Sequence, residues 1–438
     1  MTAPGLFGPG WAWAYGMRVT QTDEGAIVLA DDGASVQYRL VDGGYQRPPG
    51  VRSTLRKTDT GWELVTVSQL VYGFDAQGRL VSIRTPRGVG VALAYGEQEI
   101  TITDPSGRVV RARVEGGLIR SITLPDHRKV QYEYDEAGRL AVYKDARAGQ
   151  WRYGYSAEGR LVEVTDPQPH RTTLVRNEYD ASGRMARQLD AVGNATTFAW
   201  NAGEQEATTT DADGVVVRDG YRGNVLLYTR RGAGDTDNHR YDGSLNRNLL
   251  VNGSHNQHES QHDANGNPTR RVAPQGFDEK TKYDERNNPI EFVDAKGNVW
   301  RNTYNEVNEL IRSTDAENHS INYSYDERGL RTTTTDQRGK VTRFEHIPAG
   351  QANSGLLAAV ISPEGRRTGP STTPPAAGSP RPTRAGRCGT PTVGHSPPST
   401  GSTRRTAWSR CPSRANTTRG APTTTRSAGS AAPSTPSR

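Results

Sequence analysis

Three histidines within eight residues are the side chains in this sequence whose spacing could bind a metal. His255, His258 and His262 could place three imidazoles around one Zn²⁺, for which this ring is a common ligand. The stretch around them is polar and contains no cysteine. His262 also stands where a repeat, described below, otherwise places a tyrosine. A soluble turn region is therefore favoured over a metal site.

Aromatic residues near the start of the chain could do a different kind of chemistry. Trp11, Trp13 and Tyr15 occupy alternate positions, which predicts a strand, and their rings could stack on a sugar. The favoured interpretation is a wall of β-structure. The chain has no phosphate-binding loop, HExxH or GxSxG motif. We therefore predict no catalytic, cofactor or metal site.

A short phrase recurs through most of the chain. It reads YDEAGRL from Tyr134, YSAEGRL from Tyr155, YDASGRM from Tyr179 and YDERGLR from Tyr325, with an earlier copy, FDAQGRL, from Phe74. Weaker copies are YDERNNP from Tyr283, YNEVNEL from Tyr304 and HDANGNP from His262.

The spacing of these copies is regular. Tyr241, His262, Tyr283, Tyr304 and Tyr325 follow one another at steps of 21 residues, and the step from Tyr155 to Tyr179 is 24. A second series of aspartates falls about half a period later, as in Asp294, Asp315 and Asp336. A fixed period of this length is the signature of a repeat architecture.

One copy of the phrase predicts a strand followed by a turn. In KVQYEYDEAGRLAVY, Val130, Tyr132 and Tyr134 alternate with polar residues, which is typical of a strand with one apolar face. Asp at the first turn position accepts backbone hydrogen bonds, and Gly tolerates the left-handed conformation that closes the loop. Each repeat is therefore one β-hairpin, and neighbouring hairpins must pair into a continuous sheet because a lone hairpin is marginal in water.

We expect the residues that define the repeat to be structural. They are Phe74, Asp75, Gly78, Arg79, Tyr134, Asp135, Gly138, Arg139, Tyr155, Gly159, Arg160, Tyr179, Asp180, Gly183, Arg184, Tyr283, Asp284, Tyr304, Tyr325, Asp326 and Gly329.

The recurring motif resembles the YD-repeat, or RHS-repeat, family over roughly residues 70–345. The resemblance implies an all-β fold in which hairpins wind into a spiral sheet that forms part of a hollow shell. It also implies a parent protein that is secreted or at the cell surface, with a toxic or adhesive activity beyond the repeats. A DPxG self-cleavage motif occurs in this family, but Asp104-Pro105-Ser106-Gly107 falls in phase with the turns and is interpreted as a turn.

Composition agrees with a sheet that has one wet face. Hydrophobic residues are 33% of the chain, which is low for a solid core, and glycine is abundant at 48 residues. Subtracting the twelve arginines of residues 366–438 from the net charge of +7 leaves residues 1–365 at −5. The repeat body therefore offers no basic surface for nucleic acid. Both cysteines lie in the tail, and neither a membrane span nor a signal peptide is evident.

We divide the chain into four parts. Residues 1–70 are a β-rich region that precedes the repeats, 71–345 are the repeats, 346–365 are a last repeat remnant, and 366–438 are a disordered tail rich in Arg, Pro, Ser and Thr. The tail fits a basic nucleic-acid-binding segment, but a frameshift is favoured. Codons for Ser371–Gly378, STTPPAAG, permit Tyr-Asp-Ala-Ala-Gly-Arg in the neighbouring frame of a GC-rich gene.

The resulting hypothesis is structural. The chain is expected to be a fragment of an RHS-type protein and part of a shell that encloses and delivers a missing C-terminal toxin or effector. The alternative is a cell-surface module that binds carbohydrate for adhesion, and a third possibility is an enzyme whose activity resides in the repeats. The expected partners are the missing cargo domain and, beyond it, cell-surface glycans or a secretion apparatus.

Overall fold

The chain is all-β, which confirms the predicted fold class. A computed structural model describes residues 5–167, 173–232, 234–351 and 354–369, and within these ranges every regular element is a strand. Accordingly, this part of the chain holds no helix that could cross a membrane. The proposed frameshifted segment lies outside the described residues, apart from 366–369.

A small antiparallel sheet comes first. Its four strands follow one another in sequence order, each paired with the next. They are β1 (Arg18–Thr22), β2 (Gly25–Leu29), β3 (Ser35–Val41) and β4 (Gly44–Gln46).

All later strands belong to one antiparallel sheet in which each strand pairs with its sequence neighbours, from β5 with β6 to β34 with β35. They are β5 (Thr54–Thr58), β6 (Gly61–Val65), β7 (Val71–Asp75), β8 (Leu80–Arg84), β9 (Gly90–Tyr95), β10 (Glu99–Thr103), β11 (Val109–Glu115), β12 (Leu118–Thr123), β13 (Lys129–Tyr134), β14 (Leu140–Lys144), β15 (Gln150–Tyr155), β16 (Leu161–Thr165), β17 (Thr173–Tyr179), β18 (Met185–Asp190), β19 (Ala195–Asn201), β20 (Glu206–Thr210), β21 (Val216–Arg222), β22 (Val225–Arg231), β23 (Asp235–Tyr241), β24 (Arg247–Val251), β25 (Gln257–His262), β26 (Pro268–Ala273), β27 (Phe277–Tyr283), β28 (Pro289–Val293), β29 (Val299–Tyr304), β30 (Leu310–Thr314), β31 (Ser320–Tyr325), β32 (Arg331–Thr335), β33 (Val341–His346), β34 (Leu357–Ile361) and β35 (Arg367–Thr368).

The two faces of the large sheet differ in chemistry. The repeat tyrosines and their neighbours at alternate positions, such as Tyr132 and Tyr134, share one face, which we call the tyrosine face. The opposite face carries cross-strand ion pairs. Glu291 on β28, for example, lies 2.8 Å from the Nζ of Lys282 and 3.2 Å from the Nε of Arg301. Because most of these charges are exposed, they favour solubility more than stability.

Among the described residues, a hydrophobic core cluster forms where the small sheet packs on the first strands of the large one. Val28 and Tyr38 of the small sheet belong to the same buried cluster as Leu64, Phe74 and Ile100 of the large sheet. Beyond Leu161, Ala359 is the one hydrophobic residue among the described residues that is fully buried. Most of the later sheet is therefore a single layer.

The turns lie along two edges of the large sheet. The Y edge holds the turns that follow the repeat tyrosines, such as Asp135–Arg139. The D edge holds the turns half a period later, such as Asp145–Gly149. Antiparallel strands between them run alternately from one edge to the other.

The sheet winds back over itself, so that one edge meets the other. The backbone N–H of Gly50 donates to the carbonyl of Ser244 at 2.9 Å. On the D edge, Arg87 binds Glu309 of the Y edge through two hydrogen bonds of 2.9 and 2.5 Å. The hydroxyl of Ser106 donates to the carbonyl of Ser354 at 3.0 Å. We call β5–β23 the first row and β24–β35 the second row.

The pair Arg87–Glu309 should fasten the two rows. We predict that Arg87→Ala lowers the melting temperature and speeds amide exchange in the turns around Glu309, since that carboxylate, now with Asn305 as its remaining donor, loses its cationic partner. Thermal unfolding and hydrogen–deuterium exchange would measure both effects. The matched control is Arg147→Ala, because Arg147 has the same place in another D-edge turn but an exposed side chain. Equal effects of the two substitutions would contradict the role.

Candidate functional site

The described residues contain no group of three or more His, Cys, Asp or Glu side chains that could hold a metal ion. His255 lies in a turn with φ of 61°, and His258 is an exposed residue of β25. His262 ends the same strand.

The Y-edge turn is built around its first aspartate. Oδ1 of Asp135 accepts the backbone N–H groups of Ala137 and Arg139 at 3.0 and 2.9 Å, and Oδ2 accepts the Nε of Arg139 at 2.7 Å. Gly138 closes the turn with φ of 73°, a left-handed conformation that favours glycine. Burial alone would raise the pKa of Asp135, but the hydrogen bonds from Arg139 outweigh it and the pKa is lowered.

The arginine that follows the glycine also reaches the next repeat. The guanidinium of Arg139 lies 4.9 Å from the ring centre of Tyr155, and that of Arg79 lies 4.5 Å from Tyr95. A cation held over an aromatic face in this way is attracted by the electron density of the ring. One arginine therefore joins its own turn to the following tyrosine.

Repeat tyrosines along the large sheet make a hydrogen bond to the repeat before them. The hydroxyl of Tyr155 donates to the carbonyl of Leu140 at 2.7 Å, and that of Tyr325 donates to the carbonyl of Leu310 at 2.9 Å. The acceptor is the residue six positions after the preceding repeat position, and that position holds an aromatic ring except in the bond of Tyr134, where it is Arg113. The same bond is made by Tyr95 to Leu80, Tyr134 to Ile119, Tyr179 to Leu161, Tyr283 to Pro268 and Tyr304 to Pro289, at 2.7–3.5 Å. We call this series the tyrosine ladder.

A bulge in the sheet leaves the acceptor carbonyl free. The register shifts between Glu133 and Tyr134, so that Tyr134 lies opposite Leu140. On the other side of β14, the pairing with β15 ends at Val142 and Arg152. The carbonyl of Leu140 therefore lies beyond the strand ladder, where a side-chain donor must satisfy it.

Burial keeps the ladder hydroxyls protonated. It raises the pKa of Tyr134 to about 12 and also raises the pKa values of Tyr155 and Tyr325. These hydroxyls therefore remain hydrogen-bond donors at any physiological pH. Their use inside the protein leaves little of the tyrosine face for the sugar contacts considered from the sequence.

Asparagine replaces arginine in the later turns and builds a second series of contacts. Asn267 and Asn288 are 5% and 9% exposed. The amide of Asn267 donates to Asp263 of its own turn at 2.9 Å and to Asn287 of the next turn at 2.7 Å. Asn288 repeats this pattern with Asp284 and Asn308. The weaker sequence copies thus use a different side chain to connect successive turns.

A family model for the RHS repeat matches three parts of the chain, residues 115–150, 179–216 and 304–341. This chain carries RHS repeats. The family resemblance read from the sequence is thereby confirmed.

RHS repeats of similar sequence occur in much longer proteins. The chain is 34% identical over 102 residues to a double-stranded DNA deaminase toxin A of Burkholderia cenocepacia, which covers 23% of this chain and 7% of that protein. It is 28% identical over 248 residues to the tRNA nuclease WapA of Bacillus subtilis, covering 55% of this chain and 11% of that protein. The matched part of the chain thus spans about a tenth or less of these relatives.

Among solved structures, the chain is similar to a Tc holotoxin pore of Photorhabdus luminescens. The TM-score is 0.40 and the sequence identity is 12%, over 70% of this chain and 22% of that one. A TcdB2–TccC3 complex matches with a TM-score of 0.37 and 12% identity, over 82% of this chain and 20% of the other.

The segment before the RHS repeats differs from the expected strand. Trp11 and Trp13 lie in irregular backbone, and the first strand begins only at Arg18. The indole of Trp11 packs 4.8 Å from the ring of Tyr153 and donates to the hydroxyl of Tyr155 at 2.9 Å. The segment covers the tyrosine face, and its alternating aromatics misled the strand prediction because they contact that face from a non-strand conformation.

The predicted motif Asp104-Pro105-Ser106-Gly107 forms a D-edge turn. Oδ1 of Asp104 accepts the backbone N–H groups of Ser106 and Arg108, both at 2.9 Å. Burial alone would raise the pKa of Asp104, but hydrogen bonds from Arg108 lower it. The carboxylate is thus committed to turn geometry, as the phase of the repeat predicts.

The tyrosine ladder should stabilise the RHS repeats measurably. We predict that Tyr134→Phe lowers the free energy of unfolding by about 1 kcal/mol, because a hydrogen bond to a buried carbonyl is lost while the ring remains. Chemical denaturation would measure the change. Tyr143→Phe is the control, since Tyr143 stacks on Tyr132 on the same face and its hydroxyl makes no hydrogen bond within the described residues. A loss equal to that of the control would disprove the ladder's contribution.

The asparagine contacts give a second test. Asn267→Ala should lower the free energy of unfolding by about 1–3 kcal/mol, because it removes a buried amide and leaves its half-buried partners in two turns without this donor. Asn298→Ala is matched to it, since Asn298 binds Asp294 in the same way at 2.8 Å but is exposed on the D edge. Denaturant titration should show the larger loss for Asn267. The reverse order would mean that the connection between turns contributes nothing.

Proposed function

We propose that this chain is the structural repeat portion of an RHS-type toxin. In this proposal the sheet forms part of a shell that encloses and delivers a C-terminal toxin or effector. Similar repeats occur in proteins named as a deaminase toxin and a tRNA nuclease, and these names support the toxin context. The repeats themselves are not the catalytic part, and the parent protein acts outside the cell that makes it.

One observation carries the proposal. The sheet winds back over itself, yet after Leu161 it buries almost no hydrophobic side chain within the described residues. A solid domain of this size would fill its interior, because burial of apolar surface is the main source of stability. A single-layer sheet held by hydrogen bonds between repeats is suited to surrounding a space.

The test is protection of the cargo. The RHS reading frame would be extended through the natural downstream sequence, and the purified product would be treated with protease. We expect the segment beyond the repeats to resist cleavage, and to become sensitive when Tyr134, Tyr155 and Tyr325 are all changed to Phe. Cleavage at the same rate with and without the repeat body would refute enclosure.

We also propose that residues 366–438 arise from a frameshift. The RHS repeats end next to the stretch whose neighbouring frame permits another copy of the motif. Resequencing the gene from about codon 355 past the stop, and upstream of Met1, should reveal repeats in the adjacent frame. A confirmed frame without such repeats would make the arginine-rich tail genuine, and its binding to nucleic acid should then be measured against salt concentration.

A second candidate is carbohydrate binding for adhesion. Trp200 takes a ladder position, 21 residues after Tyr179, but its indole is 38% exposed and lies 6.2 Å from the ring of Tyr221. The exposed indole of Trp200, beside the half-buried ring of Tyr221, could stack on a sugar ring. A glycan array probed with the full chain and with Trp200→Ala would decide this. Absence of Trp200-dependent binding leaves the shell proposal alone.

A further inference from the structure

The tyrosine ladder is interrupted at His262. This residue stands 21 positions after Tyr241 and 21 before Tyr283, at the end of β25. Its ring takes the place of a tyrosine ring but has no hydroxyl to donate to a carbonyl. Its Nδ1 is buried and has no hydrogen-bond partner among the described residues. Buried polar atoms without a partner are uncommon, and each one costs stability.

A second imidazole in the same condition lies close by. His239, on β23, also has a buried Nδ1 without a hydrogen-bond partner within the part of the chain that the structure describes. Strand β24 lies between the two and pairs with both β23 and β25. Two incompletely bonded imidazoles therefore flank one strand.

The turns that follow strands β23 and β25 bind the linker between the two sheets, residues 47–52. Arg52 donates to the Oδ1 of Asn246 at 2.9 Å, and Arg47 donates to the carbonyl of Ala264 at 2.8 Å. The backbone N–H of Gly50 donates to the carbonyl of Ser244, which lies in the same turn as Asn246. These two turns directly follow Tyr241 and His262. A change in the packing of His262 would therefore alter the turns that hold the linker.

The charged neighbours of His262 are mixed in sign. Asp242 and Asp263 would favour a protonated imidazole, whereas Arg52 and Arg271 oppose it. Burial has the largest influence and lowers the pKa of His262 below its ordinary value. Protonation would therefore add a partly buried charge near two guanidiniums, while the buried Nδ1 has no hydrogen-bond partner among the described residues.

The surroundings of His239 act in the same direction. Burial is again the main cause of its lowered pKa, and Arg247 and Arg231 add to the effect. Asp237 and Asp219 act against it. Asp237 is already bound to Arg231 at 2.8 Å and Asp219 to Thr229 at 2.6 Å, so neither carboxylate is without a partner.

We propose that His262 and His239 form an acid-sensitive joint, in which protonation of the two half-buried imidazoles, whose Nδ1 atoms are buried without partners, loosens strands β23–β26 and releases the linker Arg47–Arg52 from the second row. The biological role of this joint rests on the proposed function, because the joint would let the shell open in an acidic compartment. The structural event itself belongs to this chain and can be measured without any cargo.

The sign of the pH dependence follows from linkage. A histidine whose pKa is lowered by folding binds its proton more weakly in the folded than in the unfolded state. Its contribution to stability is therefore complete above the ordinary histidine pKa of about 6.5 and is lost as the pH falls through the folded value. Local opening should appear in mild acid, before the carboxylates of the turns protonate, because hydrogen bonds keep the pKa values of Asp242 and Asp237 low.

Hydrogen–deuterium exchange of the full chain tests the joint. Exchange would be measured at about pH 7.5 and pH 5 and corrected for the intrinsic chemical rate. We expect amides in 239–268 and in the linker 47–52 to exchange at least about threefold faster in acid, while those in β13–β16, which lack a ladder histidine, stay unchanged.

Two variants isolate the imidazole. His262→Tyr restores the ladder hydroxyl and should abolish most of the acid effect, whereas His258→Tyr, an exposed position on the same strand, should retain it. If His262→Tyr does not fold, His262→Gln serves in its place because it removes the titrating group. The same acid acceleration in the His262 variant as in the unchanged chain would overturn the proposal. If the His262 variant loses the acid effect but the protease test shows no enclosure of the cargo, the acid-sensitive joint stands and only the proposed function is overturned.

Discussion

The hydrogen bond from a repeat tyrosine to the carbonyl of the preceding repeat fixes the geometry of the sheet. Its donor and acceptor lie 15 residues apart, because the acceptor follows the previous repeat aromatic by six residues in a period of 21. Where the step lengthens to 24 residues, the bond from Tyr179 still reaches Leu161, which keeps the same offset from Tyr155. The bond thus depends on the offset of the acceptor from the preceding tyrosine, and it tolerates a longer repeat.

This constraint explains why the motif combines its particular residues. The aspartate shapes the turn, the glycine allows its left-handed step, and the arginine joins the turn to the next tyrosine. Where arginine is absent, as at Asn267 and Asn288, a buried amide connects the turns instead. Stability is therefore spread over contacts between neighbouring repeats, as expected for a repeat protein, and the chain needs little hydrophobic material after its first strands.

Much of the architecture could be read from the sequence, because strand and turn signals recur in phase. Tyr134, Asp135 and Gly138 occupy the strand end and turn that their types predict. The asparagine contacts were missed, since Asn in a turn usually indicates only turn propensity. The pairing of Arg87 with Glu309 could not be predicted, because 222 residues separate the partners and nothing in the local pattern of either reports the winding of the sheet. The irregular backbone at Trp11 was not predicted, because aromatic residues at alternate positions are also typical of a strand.

The joining of the rows gives the sheet a mechanical direction. Within a row, each strand is bonded to its neighbours by a ladder of backbone hydrogen bonds. Between rows, the described residues are joined at the turns by side-chain hydrogen bonds and single backbone hydrogen bonds. A pulling force along the edge-to-edge direction would load those few bonds one after another. The two rows would separate while each row stayed folded. The sheet could then open and close again without refolding its hairpins.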